Sequence, residues 1–439
     1  MRDLPPLSRP SYRAHLLAAA LDGVFSGVIQ LAPFVASRTL EGSRLQVMCY
    51  VMASSLAMLA SPAWAVRLAG VAPRTVFLTT GAAGRLTLVA TAALGTPVPF
   101  LAVCALNAIA HAAVLPTLNA LWQANYPVAL RGRVLGRVTV VQGGATILTA
   151  LGAGAVLHAA PEWYRLLFPA AGICGFTAFA AYAAIRVRHR RHVPHPSPAA
   201  GEAGAAPLAW VVPRPWRQAW RLIWAHPAFA LYEVGFMTYG FGFFFAQPFL
   251  ADFCARDLRL EYDVYSRGVA LQEVTKIATS PLFGRLLDSL RAPRTAALAF
   301  ATLPCFALAF AYAEGAGVAY LGFAIFGIGM AGVNVCWTLG TVEFAGREDA
   351  APFMGVHAAC VGFRSLVAPL LAYGLQAAAD DVRIAFLVAS GFFAVAVVVM
   401  VDLARRWPVP PAATPDAAPA AKSAAPLPLT SPSGPTALP

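Results

Sequence analysis

Residues 280–295 read SPLFGRLLDSLRAPRT, and residues 61–75 read SPAWAVRLAGVAPRT. Each stretch closes one long apolar run with Ser-Pro and opens the next with Ala-Pro-Arg-Thr. Ser61-Pro62 and Ser280-Pro281 are offset by 219 residues, and Ala72-Pro73-Arg74-Thr75 and Ala292-Pro293-Arg294-Thr295 by 220, as a one-residue deletion gives. Gly136 and Gly143 recur as Gly355 and Gly362 at the offset of 219. A shared offset that falls on equivalent apolar runs implies two halves related by duplication.

The composition says what surrounds those halves. Of the 439 residues 59% are hydrophobic and 12% charged, against roughly 25% charged in a soluble domain. With so few charges the chain cannot cover a globular surface, so lipid must. A membrane-crossing helix needs about 20 apolar residues. Six such stretches lie near 14–37, 45–66, 75–94, 98–122, 138–160 and 164–186, and six more near 227–250, 265–284, 295–313, 317–344, 355–377 and 383–404. The expected fold is an all-α polytopic membrane protein of about twelve transmembrane helices in two pseudo-symmetric six-helix bundles. The bundles occupy 1–186 and 227–406, joined by a linker over 187–226 and followed by a disordered tail over 407–439.

The net charge of +12 raises nucleic acid as a partner, but the distribution of that charge argues for topology instead. With the N-terminus inside, 22 of the 32 basic residues fall in cytoplasmic segments, and seven face outside: Arg38, Arg44, Arg165, Arg256, Arg259, Arg267 and Arg383. That asymmetry predicts cytoplasmic N- and C-termini. Base supplied almost wholly by Arg, with abundant Ala and Pro, suits a bacterial inner membrane. Arg2, Arg9 and Arg13 precede the first apolar run and no A-x-A-like site follows it, which predicts a retained first helix. Seven cysteines without a CxxC pair predict neither disulfides nor zinc. No nucleotide-cradling GxxxxGK[ST] loop or metal-ligand spacing occurs, so no cofactor or metal is expected, and the loops are too short for an enzymatic domain.

In the linker Trp216, Trp220 and Trp224 recur every four residues beside Arg217 and Arg221. That pattern predicts a helix lying at the cytoplasmic lipid surface, as an anchor or as a partner-binding element.

The run Gly284-Arg-Leu-Leu-Asp288-Ser-Leu-Arg291-Ala-Pro-Arg294 resembles the G-x-x-x-D-R-x-G-R-R loop of the major facilitator superfamily. Gly284 and Asp288 fit the pattern, with Arg291 and Arg294 at the basic end; Ser289 and Arg291 depart from its usual Arg and Gly. The first-half counterpart, from Ala65 to Arg74, lacks the acid. The resemblance implies a secondary transporter of small molecules that works by alternating access as a monomer in the bilayer, with Asp288 in a cytoplasmic gate. Two signatures of drug–proton antiporters are missing: the fourth span has Asn107-Ala-Ile-Ala-His111, and the fifth has Gly143-Gly144 without the G-P-x-x-G-G pattern.

Charges inside the membrane cost roughly 2.5 to 3.5 kcal/mol each on insertion scales, so each calls for a reason. Glu273 and Lys276 share one face of the eighth span, as a proton- or substrate-responsive pair or a self-neutralised one. Asp22 in the first span is either a proton carrier or a packing residue. Arg85 is placed to pair with an acid such as Asp22. Arg364 is placed to bind an anionic substrate or to pair with Glu233 or Glu343. His111 and Asn107, and Asn334 and Trp337, face the cavity or bond between helices. Of the aromatic seventh span, Tyr239 and Gln247 are the expected cavity residues beside Glu233. These side chains favour a polar or zwitterionic substrate with protons as coupling ion. The alternative is a transporter-like sensor or assembly protein that moves nothing.

Overall fold

A computed structural model of the chain describes residues 8–59, 68, 71–126, 128–185, 220–345 and 350–407. The expected tail and most of the linker, including Trp216 and Arg217, lie outside the described residues. The described chain is helical: α1 Ser8–Ile29, α2 Ala32–Arg38, α3 Arg44–Leu59, α4 Pro73–Thr80 with its continuation to Ala93, α5 Pro97–Asn125, α6 Val128–Ala159, α7 Tyr164–Ala183, α8 Pro227–Arg256, α9 Tyr262–Ala311, α10 Ala316–Ala345, α11 Ala350–Ala379 and α12 Arg383–Arg406.

Ten of these helical stretches are long and apolar enough to cross a membrane. The 50 residues of α9 would be about 75 Å long at 1.5 Å per residue, more than twice the ~30 Å hydrocarbon core. The helix turns back at Arg291, whose φ of 67° and ψ of 170° are not helical, and so provides two spans. The described part of α3, at 16 residues, is the short second span. The pattern is therefore that of twelve spans, as the sequence implies. The first span is itself interrupted at Gln30–Leu31, where Pro33 occupies the first turn of α2 and gives no amide hydrogen to the preceding helix.

The repeated Ala-Pro-Arg-Thr is a helix start. Ala72 caps α4 in extended conformation with Pro73 just inside, where a missing N–H costs nothing. Its counterpart opens the second arm of α9. There the Ala292 N–H donates to Glu343 at 2.8 Å, and Arg291 Nε donates to the same carboxylate at 2.7 Å. Glu343 thus satisfies a first-turn amide from the neighbouring helix and holds the positive-φ residue in place.

Within the first half α1 packs on α6 and α7, and within the second α9 packs on α10 and α12. The halves meet where α6 lies on α9, α3 on α11 and α2 on α8. On the α6 side of that seam are glycines: a Cβ on Gly154 would overlap Ser266, and one on Gly143 would overlap Ile277. The second half has a ring-packed core in which Tyr239 stacks on Phe300 at 4.8 Å and Phe306 on Phe326 at 4.5 Å. Arg383 caps the end of α9, donating to the Ala311 and Ala313 carbonyls at 2.6 and 2.8 Å. In the described part of the linker Trp220 and Trp224 are exposed, their rings 5.7 Å apart.

Candidate functional site

The helix α4 is not regular. Gly81–Arg85 form a π-turn before a 3-10 stretch over Leu86–Ala93, a distortion that often re-aims a side chain at a functional site. Here it delivers Arg85. Two α7 glycines make room for it: a Cβ on Gly172 would stand 2.5 Å from the Arg85 carbonyl, and one on Gly175 would stand 3.0 Å from Arg85 Cδ.

Arg85 is 2% exposed and donates to Asp22 Oδ1 at 2.9 Å, while Gln142 Nε2 donates to Asp22 Oδ2 at 2.8 Å. The same guanidinium comes within 3.3 Å of His111 Nδ1 and lies 3.5 Å above the Phe25 ring. Arg85 keeps Nε and NH1 unpartnered, and Asn107 Oδ1 is also unpartnered. Four spans thus converge on one buried acid–base pair. An inner chamber of about 360 Å³ opens onto it, lined by Asp22, Arg85, Asn107, His111, Gln142 and Tyr50 among others. That volume is of small-molecule size.

A second chamber of about 260 Å³ adjoins the first through Ile29 and Tyr50. It lies between the halves, with Gln30 from the break after α1, Gln247 from α8 and Gln272 from α9 in its wall. Beyond it the halves are bolted together. Asp252, 1% exposed, accepts from Ser37 at 2.9 Å and from Arg256 at 2.7 Å, and pairs with Arg44 at 3.0 Å. Arg44 also reaches Asp257 at 2.7 Å, and Arg38 reaches Glu261 and the Leu260 carbonyl. Thr39 bonds Tyr262 and Arg256 bonds the Gly42 carbonyl. His158 of α6 stands 3.5 Å from Asp263. Three of the seven arginines expected outside the membrane therefore form an inter-half latch, a role their loop-like sequence context did not reveal.

The remaining sequence-singled residues fall elsewhere. Glu273 is buried and pairs with Lys276 at 2.6 Å, but neither lines either of these two chambers; their neighbour Gln272 lines the second. Glu233 accepts from His357 Nδ1 at 2.8 Å, and His357 is fully buried. Sequence reasoning passed over His357, whose only signal is a histidine inside an apolar run. Arg364 pairs with neither Glu233 nor Glu343: among the described residues it forms no salt bridge, donating to the Phe236 carbonyl and lying 5.6 Å from the Tyr239 ring. Tyr239 belongs to the ring-packed core, its hydroxyl 3.7 Å from Met330 Sδ, and lines neither chamber. Asn334 is exposed and also lines neither. At the other end of the second half Arg291 is bound within its own half, to Glu343. Asp288 and Arg294 are exposed, and a Cβ on Gly284 would meet open space.

Gly240 of α8 is the position that admits Arg364, since a Cβ there would overlap the guanidinium. Gly240→Ala is expected to cost about 1 to 3 kcal/mol, the usual penalty of overpacking. Thermal unfolding in detergent measures it, and an unchanged midpoint would show that Arg364 is not confined there.

Comparison with solved structures places the arrangement. The chain matches a bacterial homologue of the human lysosomal transporter Spinster, solved inward-facing and unoccupied, with a TM-score of 0.66 at 15% identity over 92% of this chain and 98% of that one. The nucleoside transporter NupG matches with a TM-score of 0.62 at 13% identity over 91% of this chain and 99% of that one. These likenesses show the fold. A search of curated protein sequences finds no match. The sequence profile of the Major Facilitator Superfamily matches residues 14–363 and again 234–434. With the profile spanning most of its length and the twelve-span, two-half fold in place, this chain belongs to the Major Facilitator Superfamily of membrane transporters.

Proposed function

We propose that the protein is a secondary transporter that carries a small polar molecule across the bacterial inner membrane by alternating access, as a monomer, with protons as coupling ion. The observation that supports this most is a chamber between the two bundles, closed at one end by an ion-pair latch and adjoining a second chamber, within the first half, that holds the buried Asp22–Arg85 pair. With cytoplasmic termini, as the arginine asymmetry favours, the latch lies on the outer face and the conformation is closed to the outside. Rocking of the halves would break that latch and close the opposite end, where exposed Asp288 and Arg294 are free to meet the other half.

Coupling requires that protonation and substrate binding favour the same conformations. Three buried carboxylates have partners that can release them: Asp22 from Arg85, Glu273 from Lys276 and Glu233 from His357. Reconstituted in liposomes, Glu273→Gln is expected to lose uptake driven by a pH gradient while keeping exchange of internal for external substrate. Gradient-driven uptake retained in full would remove Glu273 from the coupling path. The rival reading, a sensor or assembly protein, predicts no flux of any bound compound.

A further inference from the structure

Among the described residues the latch-side chamber is lined by no ionised side chain. Its polar groups are the three amides Gln30, Gln247 and Gln272 and the tyrosines Tyr50 and Tyr265, set among Phe323, Phe326 and aliphatic residues. The amides come from the break after α1, from α8 and from α9, and so from both halves and both sides of the seam. Each offers a donor and an acceptor, and Gln247 Oε1 is buried without a partner. Its residue lines the chamber wall, where a ligand hydroxyl can take the place of water as its donor. In the adjoining chamber the charges cancel, because Asp22 and Arg85 are bound to each other. Neither chamber therefore presents an uncompensated charge, and a charged ligand there would be stripped of water without a counter-ion.

Resting on the transport reading above, we infer that the substrate is a neutral, hydroxyl-bearing ring compound held by the glutamine triad, with an aromatic-flanked space for its apolar face. Its hydroxyls donate to Gln247 Oε1 and exchange bonds with Gln30 and Gln272. The Asp22–Arg85 pair contributes hydrogen bonds rather than net charge, through the unpartnered Arg85 NH1. Ala251, next to Asp252 on α8, lines the same chamber, and this adds a further consequence: a ligand bridging Gln247 and Gln272 to Gln30 ties the same two halves that the latch ties.

The test is calorimetric binding to the purified full-length protein, using uridine and methyl glucoside as neutral probes and nicotinate and putrescine as charged ones. At least one neutral probe is expected to bind, and to bind roughly tenfold more weakly in Gln247→Leu and in Gln272→Leu. Gln30→Leu, at the helix break, gives the same readout should either of those variants fail to fold. Binding of nicotinate or putrescine in preference to both neutral probes would overturn the inference. So would neutral binding indifferent to the glutamine changes, or no neutral binding at millimolar concentration. Vesicle flux separates this inference from the transport reading. A neutral probe that binds through the triad but never crosses the membrane refutes transport and leaves the site standing. Gradient-driven flux of the charged compounds alone does the reverse.

Discussion

Asp22→Asn is expected to abolish flux and to destabilise the protein by about 3 to 5 kcal/mol, the penalty of stranding one member of a buried ion pair. The size follows from what remains. Arg85, buried beneath Phe25 and Phe179, loses its only carboxylate among the described residues, and Gln142 loses an anionic acceptor. Adding Arg85→Met should restore most of the stability, since an apolar replacement of both charges removes the stranded one. It should not restore flux, because the inner chamber then lacks its polar floor. Unfolding midpoints in detergent for the two single variants and the double variant measure the first effect, and liposome uptake the second. A single variant as stable as the parent would mean that the pair is solvated, and an active double variant would take the pair out of the transport cycle.

Asp252→Ala is expected to open the latch end. Asp252 gathers Ser37, Arg44 and Arg256 around one carboxylate, and charge-assisted bonds are worth about 1.5 to 3 kcal/mol each. Its loss also leaves Arg44 with Asp257 as its one remaining carboxylate among the described residues. Of the three partners, Ser37 and Arg44 reach Asp252 from the other half. Moving a two-state equilibrium from 1:99 to 99:1 takes about 5.5 kcal/mol, so loss of the two cross-half bonds shifts the balance toward opening by a large part of that. A Tyr265→Cys reporter, in a background without the exposed Cys49 and Cys305, is expected to be protected from a membrane-impermeant maleimide applied outside. With Asp252→Ala it should label many times faster. Equal labelling in both would mean that the latch does not set the conformational balance. The exposed Asp288 offers a contrast at the opposite end, where substitution to Ala removes a contact that in the proposed cycle favours the outside-open state and should not raise the outside labelling.

The architecture was legible in the sequence because duplication leaves the same text at the same structural event. Ala-Pro-Arg-Thr starts a helix in both halves, for the same reason of backbone chemistry at Pro73 and Pro293. The Asp22–Arg85 pair was legible too, since a membrane arginine needs an acid and few are on offer. Partner choice among the rest was not. Glu233 and Glu343 were both possible mates for Arg364, yet one went to His357 and the other to Arg291. Which faces of α8, α10 and α11 meet depends on packing, and in helices apolar on nearly every side no periodicity reports it. On the same account Tyr239, read as a cavity residue, lines neither of the two chambers. The latch was hidden for a different reason: its members are more than 200 residues apart, as in Ser37 with Asp252 and Arg44 with Asp257. In sequence they look like ordinary loop charges. Of the glutamine triad, only Gln247 stood out, because Gln30 sits at an unforeseen break and Gln272 beside a more conspicuous acid.

The glycine-faced seam between α6 and α9 gives the two ends of the molecule unequal duties. Where Gly143 and Gly154 lie against the opposing helix, no side chain from α6 interlocks at those points, and little must disengage for one bundle to slip past the other. In the proposed alternating-access cycle such a surface would serve as a bearing, a close approach of two helices about which the halves turn. The resistance then resides in what is gripped away from the axis, at the latch and around the ligand. In that cycle a cargo held near the latch would act on the two halves at the same distance from the pivot as the latch does.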